Sequence, residues 1–238
     1  MITVQSDNKK PIGGYDMTVY EHTHSFHVKD FFSALTHFIG FVMSLFMLVV
    51  LLLKGCYDQP SMKNVMGVTV FALSAMLLYG ASASYHTFDV RNPYDQILKK
   101  LDHLSIFILI AGSYTPYALI ALNQEAGSFL LLEVWGLALA GIIFKLFWVN
   151  CPKWVSSVIY IAMGWVCLTV FPQLLAGLDK NAFLLTLTGG IFYTVGGVVY
   201  SLPCKRLDGK PFGMHEIFHC FVLAGTFFHF LVMFLYFV

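Results

Sequence analysis

Two histidines that stand four residues apart open the last apolar stretch of the chain. They are His215 and His219, in the string HEIFH. An α-helix has 3.6 residues per turn, so positions i and i+4 project only about 40° apart and both imidazoles would face one point beside the helix. Two imidazoles in this arrangement supply half of a tetrahedral zinc site. Taken alone, the pair is also typical of two histidines that face lipid headgroups.

A second pair of polar side chains has the same spacing. Ser82 and His86 lie four residues apart in the string ASASYH, and Asp102 follows at the start of the next apolar stretch. Three histidine ligands with an open fourth position are typical of catalytic zinc sites. We therefore interpret His86 as the third zinc ligand, beside the two histidines of HEIFH.

Asp102 and Ser82 are the candidate catalytic residues of such a site. Zinc lowers the pKa of a bound water molecule to about 7. Asp102 would accept a proton from this water, or would orient one of the histidines. Ser82 would donate a hydrogen bond to the water or to a developing oxyanion. The alternative for Asp102 is structural, a carboxylate stabilised by the positive end of a helix dipole.

The string HEIFH also fits the HExxH pattern of zinc metalloproteases, in which the glutamate is the general base. Glu216 projects about 60° from His219 on a helix, within reach of a metal site. Intramembrane proteases of this type use a further ligand segment similar to Asn-Pro-Asp-Gly, and the nearest string, NPYD at 92–95, does not match it. The alternative for Glu216 is a carboxylate that faces the cytosol.

Two other histidines fall inside apolar stretches. His229 comes fourteen residues after His215, about 21 Å farther along a helix, so it cannot bind the same ion. It would line a cavity above the site or join two helices by a hydrogen bond. His37 lies in the first apolar stretch and would support the metal ligands from outside.

The composition places the elements that carry these residues in a membrane. Of the 238 residues, 58% are apolar and 11% are charged, whereas ordinary globular chains carry about 25% charged residues. The formal net charge of +1 argues against a nucleic-acid partner, because such binding needs a basic face. The five cysteines are odd in number and show no CxxC spacing, which argues against a disulfide framework or a cysteine zinc site.

Seven apolar stretches are long enough to cross about 30 Å of hydrocarbon as helices. A β-barrel would show alternating segments of about ten residues instead. We therefore predict an all-α fold, a polytopic membrane protein built as a seven-transmembrane-helix bundle. A polar cytosolic tail over 1–28 would precede a membrane domain over 29–238. The helices are predicted near 31–53, 65–86, 101–122, 128–148, 154–172, 182–202 and 214–237.

Two features predict how these helices pack. Gly189 and Gly196 share one face of the sixth helix, and small residues on one face let a neighbouring helix approach closely. Lys145 stands near the end of the fourth helix, where its long side chain would snorkel to the membrane surface.

Lysines and arginines determine the predicted orientation. Eleven of the 14 lie in the tail and in or beside the second, fourth and sixth connections, and three lie on the other side. Because cytoplasmic loops carry an excess of Lys and Arg, we predict a cytoplasmic N-terminus and an extracytoplasmic C-terminus. This topology brings five candidate residues to one membrane depth, near the cytosol: Ser82, His86, Asp102, His215 and His219.

Four strings, taken together, resemble the haemolysin III family, the bacterial branch of the progestin and adipoQ receptors. They are ALTHFIG (34–40), ASASYH (81–86), LDHLSIFILIAGSYTP (101–116) and HEIFHCFVLAGTFFHF (215–230). The resemblance implies seven helices, a cytoplasmic N-terminus and zinc held by three histidines near the cytosol. The Ser-x3-His motif of the family falls on Ser82 and His86, its aspartate on Asp102, and its His-x3-His motif on His215 and His219.

The resemblance leaves several functions open. Related alkaline ceramidases imply zinc-dependent hydrolysis of a lipid amide or ester near the cytosolic leaflet. The family name implies instead a cytolytic, pore-forming protein, and a third possibility is a non-catalytic sensor of lipids or membrane fluidity. We favour hydrolysis, because a pore needs no cluster of metal ligands, carboxylate and serine, and a structural zinc tends to have four protein ligands. The expected partners are membrane lipids, with a substrate or product in the bundle cavity, and the expected location is the plasma membrane. The lipid and the oligomeric state stay open.

Overall fold

The computed structural model describes residues 28–58, 61–202 and 212–238. Apart from Val28, the predicted tail over 1–28 lies outside these residues. Helices make up nearly all of the described chain. In order, they are α1 (Phe31–Tyr57), α2 (Met62–Thr87), α3 (Tyr94–Pro116), α4 (Gln124–Phe147), α5 (Lys153–Gly164), α6 (Phe171–Gly177), α7 (Lys180–Ser201) and α8 (Met214–Val232).

These helices form seven membrane spans within the described residues, as the sequence predicts. A π-helical turn (Tyr117–Ala121) completes the third span after α3, and another (Met233–Phe237) completes the seventh after α8. The fifth span consists of α5, a 3₁₀ turn (Val166–Val170) and α6. Large apolar side chains cover the outside of the bundle, among them Phe46, Leu132 and Phe147. An apolar exterior on every side suits lipid rather than water as the surrounding solvent.

The spans pack in chain order around a ring, which α8 closes by lying against both α7 and α1. The predicted close approach of helices is present where α7 meets α8: Gly189 faces His229, and Gly196 faces Phe221. A β-carbon placed on Gly190 would meet no other atom within 4 Å. The ring therefore brings the first residues of α8 beside the start of α1 and the end of α2.

The third span begins earlier than the sequence predicts, at Tyr94 instead of residue 101. No helix-breaking residue stands between Pro93 and Asp102, so the helix extends outwards through the polar segment YDQILKK. Asp102 consequently lies two turns inside α3, and it is buried. The structural alternative for Asp102, a carboxylate in the first turn of a helix, is therefore wrong.

Lys145 also departs from the prediction, because its side chain turns inwards and does not snorkel. It is 1% exposed, and its Nζ donates a hydrogen bond to Ser156 Oγ of α5 at 2.7 Å. The Sγ of Cys151 lies 3.2 Å from the same Nζ. A polar environment inside the bundle thus replaces the membrane surface as the partner of this ammonium group. If Lys145 is left out of the count, the predicted cytoplasmic side still carries more Lys and Arg residues than the other side.

Candidate metal centre

Three histidines meet where the end of α2 approaches the start of α8. His86 is the second-last residue of α2, while His215 and His219 occupy the first two turns of α8. One ring nitrogen of each can be chosen so that the three atoms lie within 4.8 Å of one another. The structure thus brings together the three candidate ligands that the sequence analysis selected.

The ring nitrogens face each other closely. The Nε2 atoms of His86 and His215 are 3.1 Å apart, a separation close to what two zinc–nitrogen bonds of about 2.0–2.1 Å would span. The ring centroids of His215 and His219 are 4.4 Å apart, and those of His86 and His219 are 5.4 Å apart. His86 and His219 are buried, and His215 is partly buried. The cluster is therefore compact enough for one ion.

Hydrogen bonds from α1 and the residue before it fix two of these rings. Asp30 Oδ2 lies 3.0 Å from His86 Nδ1. An ionised carboxylate only accepts hydrogen bonds, so Nδ1 carries the proton and Nε2 is left with a free lone pair. Thr36 Oγ1 lies 3.2 Å from His219 Nδ1 and donates to backbone carbonyls one turn earlier. It therefore accepts from Nδ1, which leaves the Nε2 of His219 free as well.

A short extended segment before α1 holds Asp30 in place. Val28 forms an antiparallel bridge with Phe88, and the backbone N–H of Asp30 donates to the carbonyl oxygen of His86 at 2.9 Å. Asp30 thus contacts the backbone and the side chain of the same candidate ligand. The sequence analysis missed this residue, because a single aspartate before an apolar stretch carries no spacing signal.

Lys29 ties the same segment to α3. Its Nζ donates to Asp95 Oδ1 at 2.6 Å and lies 3.9 Å from the centre of the Tyr85 ring. Partial burial lowers the pKa of Lys29, but the hydrogen bond and the charge of Asp95 outweigh burial and raise the pKa above its ordinary value. Lys29 is therefore charged at neutral pH, and the segment beside His86 is anchored to two helices.

The two candidate catalytic residues occupy different positions. Asp102 lines one cavity together with His37, His215 and His219, and its Oδ2 lies 3.6 Å from His103 Nδ1. Ser82 is fully buried one turn before His86, and its Oγ has no hydrogen-bond partner in the described residues. Ser82 does not contribute to the lining of the cavity. Asp102, and not Ser82, therefore lines the cavity into which His215 and His219 also face.

Glu216 points away from the cluster and towards the start of α1. Its Oε1 accepts a hydrogen bond from Ser33 Oγ at 2.5 Å, and its Oε2 accepts one from the backbone N–H of Gly213 at 2.7 Å. One carboxylate oxygen thus joins the start of α8 to α1, and the other caps the first turn of α8 itself. This arrangement does not suit the general base of an HExxH site.

His37 stacks on the ring of His219, with centroids 3.5 Å apart and the planes 10° from parallel. Neither ring nitrogen of His37 has a hydrogen-bond partner in the described part of the chain. Its ring is also 5.1 Å from that of Tyr79, in an edge-on arrangement. His37 therefore packs against the ring of a candidate ligand from outside the cluster. This position agrees with the supporting role predicted from the sequence.

A cavity of about 190 Å³ extends from the cluster into the bundle. Apolar side chains form most of its wall, and His229 lines it at a distance from the cluster. The wall includes Gly164, Trp165 and Leu168, where the fifth span leaves α-helical geometry. The cavity therefore joins a polar cluster at one end to a mostly apolar interior.

The chain matches the family described as haemolysin-III related over residues 26–230. It belongs to the haemolysin III family. The hemolysin-3 homolog of Bacillus subtilis (strain 168) is 38% identical over 194 residues, which cover 82% of this chain and 87% of that protein. The hemolysin-3 of Bacillus cereus is 36% identical over 195 residues, which cover 82% and 85% of the two chains. The family predicted from the four strings is thereby confirmed, and the chain is a multi-pass membrane protein.

The donor set of this haemolysin III protein fits a zinc ion. It consists of imidazole nitrogens, two of them oriented through their Nδ1 atoms by Asp30 and Thr36. Such outer hydrogen bonds fix the tautomer of metal-binding histidines. Three nitrogen ligands also leave a fourth position for a reacting group, as catalytic zinc sites require.

Proposed function

We propose that this haemolysin III protein is a zinc-dependent hydrolase that cleaves a lipid amide or ester at the cytosolic leaflet. The observation that carries the proposal is the continuity of the histidine cluster with an apolar cavity. Asp102 and two of the three histidines line the same cavity as the apolar side chains. If the carbonyl group of a lipid lay at the cluster, its acyl chain would extend into the apolar cavity of the bundle.

Zinc would be held by His86, His215 and His219, and when bound it would polarise the lipid carbonyl and lower the pKa of water to about 7. Asp102 would accept a proton from the attacking water and pass it to the amine or alcohol that leaves. Ser82 lies one turn before His86, and its hydroxyl has no hydrogen-bond partner in the described residues. It does not line the cavity, so we assign it no contact with the lipid. The products are a fatty acid and the amine or alcohol.

The geometry supports this function over two alternatives. A pore would need a polar path through the bundle, whereas the cavity wall is mostly apolar. A metalloprotease would need Glu216 as a base, whereas both of its carboxylate oxygens are bonded elsewhere. A non-catalytic lipid sensor is the second candidate function, and the position of Ser82 outside the cavity lining favours it.

The experiment compares lipid hydrolysis by purified wild type, Asp102→Asn and Glu216→Gln in reconstituted bilayers. Release of the labelled acyl chain from amides and esters would be measured by mass spectrometry. Asp102→Asn removes a base but keeps the size of the side chain, so we expect a loss of about 10²–10⁴ in rate with zinc content unchanged. Glu216→Gln is the matched control and should stay within a few-fold of wild type.

Three results would count against the proposal. An inactive Glu216→Gln beside an active Asp102→Asn would transfer the role of base to Glu216. Equal rates in all three proteins would remove Asp102 and Glu216 from catalysis. Zinc-loaded wild type that releases no product from any lipid would favour the sensor.

A further inference from the structure

One of the polar residues that line the cavity is a histidine far from the cluster. His229 is 8% exposed and lines the cavity together with His219. The two residues are ten positions apart on α8, which corresponds to about 15 Å along the helix axis. Between them the wall carries apolar side chains, such as Leu109, Phe218 and Val222.

The ring of His229 is held firmly on one side. Tyr117 Oη lies 2.9 Å from His229 Nδ1, and Thr186 Oγ1 donates to the same Oη at 3.0 Å. The ring of Tyr193 stacks on that of His229, with centroids 5.5 Å apart. Two spans besides α8 therefore fix the orientation of this imidazole.

The other nitrogen of the ring is left without a partner. His229 Nε2 takes part in no hydrogen bond within the described residues. It lies beside Gly189 of α7, 3.0 Å from the position that a β-carbon would occupy there. Because His229 lines the cavity, we take this nitrogen as the polar atom that a ligand in the cavity would reach. Because the two nitrogens of a neutral imidazole differ, Nε2 is a donor or an acceptor according to the tautomer. A hydroxyl group both donates and accepts, so it pairs with either tautomer.

We propose that His229 binds a hydroxyl group in the middle of an acyl chain whose carbonyl end lies at the histidine cluster. The inference rests on the proposed function, which assigns the cluster end of the cavity to the bond that is cleaved. It adds the chemical class of the lipid: an amide or ester of a hydroxylated fatty acid. The distance along α8 sets the position of the hydroxyl on the chain.

The experiment measures binding rather than turnover. Stearate and a series of hydroxystearates, with the hydroxyl near the carboxylate, in the middle or near the methyl end, would be titrated calorimetrically into purified protein. We expect the mid-chain hydroxystearate to bind about 5- to 10-fold more tightly than stearate, as one hydrogen bond made away from water would provide. The preference should fall off towards both ends of the chain.

Two variants assign this preference to His229. His229→Phe keeps a ring to stack on Tyr193 but removes both nitrogens, so stearate and mid-chain hydroxystearate should bind equally. Thr194→Val is the matched control, since Thr194 also lines the cavity, and it should keep the preference. Loss of the preference in Thr194→Val with retention in His229→Phe would overturn the proposal.

The wild-type series keeps the inference testable even if His229→Phe does not fold, because a flat profile across hydroxyl positions would overturn it. Turnover of lipids without any hydroxyl preference would overturn this inference and leave the proposed function intact. A preference that depends on His229, with no lipid hydrolysed, would support the binding site and contradict the hydrolase.

Discussion

At the scale of single residues, the tautomers of the histidines decide what the cluster can do. A ring nitrogen binds a metal only when it carries no proton, and the proton is placed by the partner of the other nitrogen. Asp30 supplies that partner for His86 and Thr36 supplies it for His219. Asp30 and Thr36 therefore leave the Nε2 atoms of His86 and His219 free to bind an ion, although neither residue belongs to the histidine motifs.

Asp30 gives the first prediction at this scale. Asp30→Ala removes the acceptor that holds the proton on His86 Nδ1, so zinc affinity should fall by about 10- to 100-fold. The affinity would be measured by competition with a chelator on purified protein. Asp58→Ala is the control, because Asp58 pairs with Lys54 at the far end of α1. Equal affinities in the two variants would contradict the role of Asp30.

The histidine cluster could be predicted from the sequence, whereas the contacts of Asp30 and Thr36 with it could not. His215 and His219 follow a helical spacing. The number of membrane-spanning helices between His86 and His215 places His86 at the same depth in the membrane. The contacts of Asp30 and Thr36 depend on how α1 packs against α2 and α8, and neither residue forms a pattern with its partner along the chain. The extended segment over 28–30 is likewise visible only in the fold.

At the scale of helices, two departures from expectation shape the site. The outward extension of α3 places Asp102 two turns inside the helix, so its carboxylate reaches the cavity and not a helix end. The break of the fifth span after Gly164 adds Trp165 and Leu168 to the cavity wall. Composition predicts that a segment is apolar, but the point at which a helix starts or changes geometry depends on its neighbours.

The packing of α7 on α8 gives a prediction at this scale. A β-carbon at Gly196 would lie 2.8 Å from Phe221 Cβ, too close for either backbone to remain in place, whereas one at Gly190 would meet nothing within 4 Å. Gly196→Ala should therefore destabilise the protein by about 1–3 kcal/mol, as overpacking commonly does.

Gly190→Ala is the matched control for this measurement, since it adds the same methyl group to the same helix. Thermal unfolding in detergent should show a lower midpoint for Gly196→Ala and an unchanged midpoint for Gly190→Ala. Identical midpoints would contradict a close contact between α7 and α8 at Gly196.

At the scale of the whole molecule, the orientation in the membrane determines which compartment the site faces. The bundle places the histidine cluster at one end and the C-terminus at the other. With the predicted cytoplasmic N-terminus, a phosphatase reporter fused after Val238 should be active in the extracytoplasmic compartment. A reporter fused at Asn150, in the fourth connection, should be inactive there. The reverse pattern would move the site to the opposite leaflet.

The overall architecture was the most predictable level of the molecule. Seven apolar stretches and a charge content of 11% leave few folds besides a helical bundle. Charged side chains inside the bundle were less predictable, because a buried cation depends on partners from other helices. The side chain of Lys145 donates a hydrogen bond to Ser156 inside the bundle. The length of a lysine side chain and its position near a helix end therefore do not decide whether it is buried or reaches the membrane surface.

Zinc content is the measurement that tests the central claim most directly. Mass spectrometry of the purified wild type should find about one zinc ion per chain, as a site with three histidine ligands would hold. The double variant His215→Ala, His219→Ala should lose it, together with thermal stability, because metal binding is coupled to the fold. His103→Ala should retain zinc, since the Nδ1 of His103 faces the carbonyl oxygen of Lys99. Full zinc occupancy in the double variant, or none in the wild type, would contradict the account.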